Sequence, residues 1–179
     1  MQVVMGIDPG AANLGFGVVR VEGNRMVALD GGVVETAAGL PIERRLERIH
    51  HELAELIEWH EPKAMALEDL YFGKNVHSAM AVGRASGAAM LAAAQRGVRC
   101  FTYTPQAIKK AVCGSGAAGK EQVQRMVATL LGLPELPTPD HAADALAVAI
   151  CHGGGSGTEA AIQAASAPSS PRPRQRLAG

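Results

Sequence analysis

A run of apolar residues, Val3, Val4, Met5 and Ile7, stops at Asp8-Pro9-Gly10, and this stretch constrains the fold more than any other. A strand buried on both faces reads as a continuous apolar run, and a Pro-Gly pair ends it. Asp8 is thereby placed in or beside a core, where an unpaired charge is expensive. An isolated Asp-Pro-Gly is ordinarily an Asp capping its own turn. That explanation yields only if other acids reach the same place. Residues 64–67 (Ala-Met-Ala-Leu) repeat the pattern, a short apolar run that ends in Glu68-Asp69.

Between these two runs, residues 13–22 and 25–36 read as strands joined by a turn at Gly23-Asn24, which makes an antiparallel three-strand meander with residues 2–8. Pro41 opens a helix with Leu46, Ile49, Leu53, Leu56 and Ile57 on one face, and Pro62 follows its end. Residues 76–95 form an Ala/Gly-rich helix whose Gly83, Gly87, Ala88 and Ala89 admit another backbone closely. A strand over 98–103 comes next, then a helix opened by Thr104-Pro105, a Gly-rich break over 114–119, a helix over 120–131 and a last one over 140–151. A meander followed by alternating helices and strands makes a mixed α/β domain. From Gly153 to Gly179 the chain is Gly, Ala, Ser, Pro and Arg, which reads as a disordered tail.

With 179 residues, 47% of them hydrophobic, the chain suits one domain with a substantial core. No apolar segment is long enough to span a bilayer, and no basic leader precedes the first strand. Three cysteines without a CxxC pair fit a reduced, cytoplasmic protein. The net charge is zero but unevenly spread. Residues 72–125 carry eight Lys/Arg (Lys74, Arg84, Arg96, Arg99, Lys109, Lys110, Lys120, Arg125) against Glu121 alone, a candidate surface for a polyanion.

The last helix places His141 and Asp144 three residues apart, on one face, in a run that is otherwise almost wholly apolar. Asp140 reads as a capping charge at its start. If the strands ending at Asp8 and Glu68 are neighbours, both acids leave the sheet at one edge, and the helix can bring His141 and Asp144 to them. Crowded carboxylates repel, so such a cluster needs bound cations or raised pKa values. Oxygen ligands with one imidazole suit Mg²⁺ or Mn²⁺. Two such ions can activate water and stabilise the leaving oxygen of a phosphodiester.

Residues 114–120 (Gly-Ser-Gly-Ala-Ala-Gly-Lys) match the spacing of a nucleotide phosphate loop. That loop needs a buried strand before it and Ser or Thr after its lysine, whereas here a helix precedes and Glu121 follows. A loop presenting Lys120 to a DNA phosphate is the better reading. Tyr71 and Phe72 follow Glu68 and lead into Gly73-Lys74-Asn75; such aromatics either wedge between bases or plug the core.

Taken together, Gly-Ile-Asp-Pro-Gly (6–10), the glycine-rich 14–19, Ala-Leu-Glu-Asp (66–69) with its aromatic pair and Lys74-Asn75, Ala85-Ser86-Gly87, the basic segment 108–120 and His-Ala-Ala-Asp-Ala-Leu-Ala (141–147) resemble the RuvC family of crossover junction endodeoxyribonucleases. The resemblance runs in order over residues 1–152. It implies a ribonuclease H-like fold, with a mixed central sheet flanked by helices on both faces, and a homodimer. It also implies Mg²⁺ or Mn²⁺, two per subunit, and paired nicking of Holliday junctions delivered by a RuvA-RuvB branch-migration complex. The family's catalytic, metal-holding positions fall on Asp8, Glu68, His141 and Asp144. The third of these is an aspartate in many members and a histidine in others, so His141 either binds metal or handles a proton. Tyr71 matches a junction-wedging aromatic, and Lys109 and Lys120 match DNA-contacting lysines. Phe72, Lys74, Asn75, Arg84 and Lys110 complete the expected DNA surface, and the helix from Val76 matches a dimer contact.

Two other readings compete. An ATP phosphotransferase of the actin and sugar-kinase type also has an Asp-x-Gly after its first strand, but it needs a second lobe and more than twice this length. A non-catalytic junction-binding protein of the same fold has no need of all four site positions.

Overall fold

The computed structural model describes residues 1–69 and 76–155. Among the described residues, five strands and five helices follow in the order β1 (Gln2–Asp8), β2 (Asn13–Glu22), β3 (Arg25–Glu35), α1 (Ile42–His60), β4 (Ala64–Glu68), α2 (Val76–Gln95), β5 (Arg99–Tyr103), α3 (Pro105–Cys113), α4 (Lys120–Leu131) and α5 (Asp140–Gly153). The strands form one sheet in the order β3-β2-β1-β4-β5. The β1–β2 and β2–β3 pairs are antiparallel, and β1–β4 and β4–β5 are parallel. This is the mixed, ribonuclease H-like arrangement expected from the sequence.

Alternation along the strands divides the interior into two layers. Met5 and Ile7 of β1 and Met65 and Leu67 of β4 pack with α1 and α2 on one face. Val4 of β1, Ala66 of β4 and Tyr103 of β5 pack with α3, α4 and α5 on the other. Because β1 and β4 run parallel with Ile7 opposite Leu67, Asp8 and Glu68 leave the sheet side by side, on the face that carries α5.

Local signals set the helix ends. Thr104 caps α3 by accepting from the Ala107 N–H at 3.2 Å, with Pro105 in the first turn, and replacing the cap with Ala would cost about 1 kcal/mol. Gly114 (φ 74°) stops α3 and Gly132 (φ 64°) stops α4. The last turn of α1 is closed by Glu61 itself in the left-handed region (φ 46°), directly before Pro62.

Residues 70–75 and 156–179 lie outside the described residues, and with them Tyr71, Phe72, Lys74, Asn75 and most of the expected tail. No helix among the described residues is long and apolar enough to cross a membrane.

Candidate metal and DNA-cleavage site

Asp8 terminates β1, and what holds α5 beside it is a groove cut in the sheet by glycines. A Cβ at Gly6 would lie 2.0 Å from the Ala145 carbonyl oxygen, and one at Gly15 2.0 Å from that of His141. One at Gly17 would lie 2.8 Å from Leu146. Only bare backbone on β1 and β2 lets α5 lie this close. The helix is consequently buried over residues 142–152, with Asp144 alone among them part-exposed.

The closely laid helix delivers His141 and Asp144 to Asp8. The His141 Nδ1–H donates to Asp8 Oδ2 at 2.7 Å, which leaves Nε2 as the ring nitrogen that Asp8 does not engage. One ligand atom from each of Asp8, His141 and Asp144 lies within 4.8 Å of the others, a donor set that can hold a cation. Glu68 stands outside this tight group yet feels it. Burial first, then the charges of Asp8 and Asp144, push its carboxyl up to about 7, with Lys109 acting in the opposite sense. Asp144 is raised too, by burial and then by Asp8, against the pull of Lys120 and His141. Two carboxyls that resist ionisation next to a third acid fit a site completed by divalent cations.

The turn after Asp8 is tied down by groups that local sequence patterns do not reveal. The Thr36 hydroxyl donates to the Ala11 carbonyl at 2.6 Å and accepts from Arg45 Nε at 2.9 Å, while the Thr36 N–H donates to Ala12. The end of β3 and the first turns of α1 thus brace the loop that fixes the Asp8 carboxylate.

Lys109 and Lys120 share with Glu68 and Asp144 a cavity of about 220 Å³. Lys120, expected on a loop that presents it to a DNA phosphate, is the exposed first residue of α4 and is paired with acids. Its Nζ lies 3.0 Å from Asp140 and 3.7 Å from Asp144. Asp140 lies in the first turn of α5 as the expected capping charge, although no side chain makes a cap hydrogen bond there. Its carboxylate accepts from Gln124 at 3.0 Å and pairs with Lys120, although its charge still sits in the favourable first turn. The Gly-rich segment 114–119 joins α3 to α4, so the strand that a nucleotide phosphate loop requires is absent there. Arg84 is exposed on α2, across the sheet from α5, and Lys110 is exposed on α3. Part of the basic block is consumed internally: Arg96 pairs with Glu58 and Arg125 with Glu121, and Arg99 stacks on Phe101 with its guanidinium 5.3 Å from the ring centre.

Residues 4–152 match the family model described as crossover junction endodeoxyribonuclease RuvC. The chain belongs to the RuvC family. A RuvC from Pelotomaculum thermopropionicum is 50% identical over 150 residues, which cover 84% of this chain and 92% of that one. One from Thermomicrobium roseum is 52% identical over 149 residues, 83% of this chain and 91% of the relative. Among solved structures, Thermus thermophilus RuvC in complex with a Holliday junction substrate superposes with a TM-score of 0.82 at 42% identity, covering 85% of this chain and 93% of that one. The yeast mitochondrial Holliday junction resolvase Ydc2, at 12% identity and a TM-score of 0.56, shares the fold. The RuvC-family match takes in β1 through α5, and therefore every element that carries Asp8, Glu68, His141 and Asp144.

Proposed function

We infer that this RuvC-family protein is an endodeoxyribonuclease that resolves four-way DNA junctions during recombination and repair by hydrolysing phosphodiester bonds. The observation that carries the reading is the convergence of Asp8, His141 and Asp144 within 4.8 Å beside Glu68, whose carboxyl is pushed up to about 7, inside a chain that matches the family from β1 to α5. Asp8, Glu68 and Asp144 are the proposed holders of two Mg²⁺ or Mn²⁺ ions. When bound, such ions acidify a water and neutralise charge at the attacked phosphate. The chain's own part is to fix the geometry. Asp8 orients His141 through Nδ1, so that Nε2 is available to bind a cation or to take a proton. Lys109 and Lys120 supply positive charge at the same mouth, where Lys120 exchanges its pairing with Asp140 for a DNA phosphate.

Paired cuts need two sites, and a homodimer is proposed. Met80 and Leu91 of α2 are 52% and 53% exposed, on the face where Gly87 has nothing within 4 Å of a Cβ position. Tyr71, Phe72, Lys74, Asn75, Arg84 and Lys110 extend the proposed DNA surface. Delivery by a RuvA-RuvB complex in the cytoplasm completes the proposal. The deciding experiment is Asp8→Asn on a synthetic four-way junction with Mg²⁺ and then Mn²⁺. Retained binding with cutting reduced more than about a hundredfold is expected, since even a partner one shell further out is worth ten- to a hundredfold. Undiminished cutting overturns the assignment.

A further inference from the structure

Burial divides the lining of the cavity beside the carboxylates into two groups of opposite character. Glu68, Asp144, Lys109 and Lys120 are part-exposed or exposed and form its charged mouth. Ile108, Val123 and Ala147 are buried and, with Pro105, form an apolar floor without a side-chain hydrogen-bonding group. Ile108 and Val123 are 6% exposed and belong to the packed core, so the floor is a fixed wall. A phosphate is served by the mouth alone, with no use for an apolar floor behind it.

What a DNA strand places next to a phosphate is a deoxyribose. Its unsubstituted C2′ is a methylene, and an apolar wall suits it. At about 220 Å³ the space falls below the 300–1,000 Å³ that drug-sized ligands fill, which suits one sugar. A base fits the chemistry less well, because its edge carries donors and acceptors that the floor would leave unpaired. We propose that this cavity is a deoxyribose subsite for a nucleotide flanking the cleaved phosphate, and that its Ile108–Val123 wall rejects a 2′-hydroxyl. It makes the chain selective for DNA at the cut position itself. The proposal rests on the nuclease reading above and adds to it a sugar-specific contact.

The test uses the whole protein and a four-way junction with a mapped cut position. In separate junctions, the nucleotide on either side of the cleaved phosphate in one strand is replaced by its ribose form, by its 2′-fluoro form or by an abasic deoxyribose. The symmetric strand stays unmodified as the internal standard. One ribose position is expected to slow cutting of its strand by about ten- to a hundredfold, the range over which an apolar pocket rejects an added hydroxyl. The 2′-fluoro sugar, which shares the ribose pucker preference but donates no hydrogen bond, is expected to cut close to the deoxy rate. Val123→Thr, which puts a hydroxyl in the wall, is expected to narrow the deoxy-to-ribose ratio. Equal cutting of ribose and deoxy strands at both positions overturns the subsite. So does slowing by the abasic site without any response to ribose. An all-deoxy junction left uncut overturns the nuclease reading and this proposal with it, whereas intact cutting that ignores the sugar overturns the subsite alone.

Discussion

Helix α5 carries a histidine near each end, and the two have opposite surroundings. His141 is 46% exposed, bonded to Asp8 at 2.7 Å and surrounded by acids. His152 is 9% exposed, bonded at the same 2.7 Å to the Tyr103 hydroxyl, with Phe101 packed against its ring. Burial lowers the His152 pKa and pushes Tyr103 up to about 12, so both are neutral near pH 7 and each answers the other. At that end the two hydrogen-bonded side chains carry no charge. At the other, burial and the charge of Asp8 push Glu68 up to about 7 and raise Asp144 as well. Polar groups that satisfy one another stabilise a fold, and polar groups held in mutual conflict mark the place where something else must bind.

The contrast depends on α5 lying tight on the sheet, so the largest effect should come from lifting it. A Cβ at Gly15 would meet the His141 carbonyl oxygen at 2.0 Å, and that oxygen is backbone of a packed helix. Overpacking a core ordinarily costs about 1–3 kcal/mol, and a backbone clash belongs at or beyond the top of that range. Gly15→Ala is expected to lower the stability by about 3 kcal/mol or more in urea unfolding, and any folded fraction should cut junctions poorly. Gly39→Ala, with nothing within 4 Å, should change stability by less than about 0.5 kcal/mol. Equal, small effects at both positions would remove the glycine groove from the account of the site.

Much of this was legible beforehand, and the gaps have a common cause. Apolar runs that stop at Asp8 and Glu68 announce buried strands ending in acids, and Asp144 in an apolar helix announces a third. Those signals are local, and the parallel pairing of β1 with β4 places the acids as expected. The alternation of Gly15 and Gly17 is visible in the sequence, but its meaning depends on α5, more than a hundred residues away. Separation along the chain also hides the bond from Tyr103 to His152, which are 49 residues apart, and the bracing of Ala11 by Thr36, 25 residues away. Counting charges misleads for the same reason, since Arg96 and Lys120 look available until Glu58 and Asp140 are found beside them.

The two ends of α5 should also answer acid in opposite directions. Glu68, raised from 4.5 to about 7, binds its proton more tightly in the folded state, so its contribution destabilises the fold as pH climbs from 4.5 to 7. His152, lowered from 6.5, does the reverse, and stability is lost as pH falls below 6.5. In a chelator, Glu68→Gln is expected to be more stable than the parent above pH 7 and to lose part of the gain that the parent shows on acidification from 7. Restoring Mg²⁺ at a hundred times its Kd should stabilise the parent by about 2.7 kcal/mol, and less at pH 5, where protons compete. Melting curves across pH 5–8 with and without the ion check all three. An unchanged pH slope in Glu68→Gln would place the strain elsewhere.

The smallest expected effect sharpens the contrast most, because it touches the satisfied end alone. Tyr103→Phe removes a hydroxyl from a buried pair and leaves His152 Nδ1 without its hydrogen-bond partner. A neutral bond of this kind contributes about 1 kcal/mol, and the stranded nitrogen adds to the loss, so about 1–2 kcal/mol is expected in urea unfolding. Junction cutting by the folded variant should match the parent, since the hydroxyl that is removed bonds His152 in the core layer, while the backbone pairing of Tyr103 with Glu68 and the Asp69 N–H bond to its carbonyl stay in place. A stability loss with cutting intact keeps the two histidines in separate roles. If cutting by the folded variant falls as well, the far end of α5 is coupled to the carboxylates through the helix, and the division drawn between a satisfied end and a working one fails.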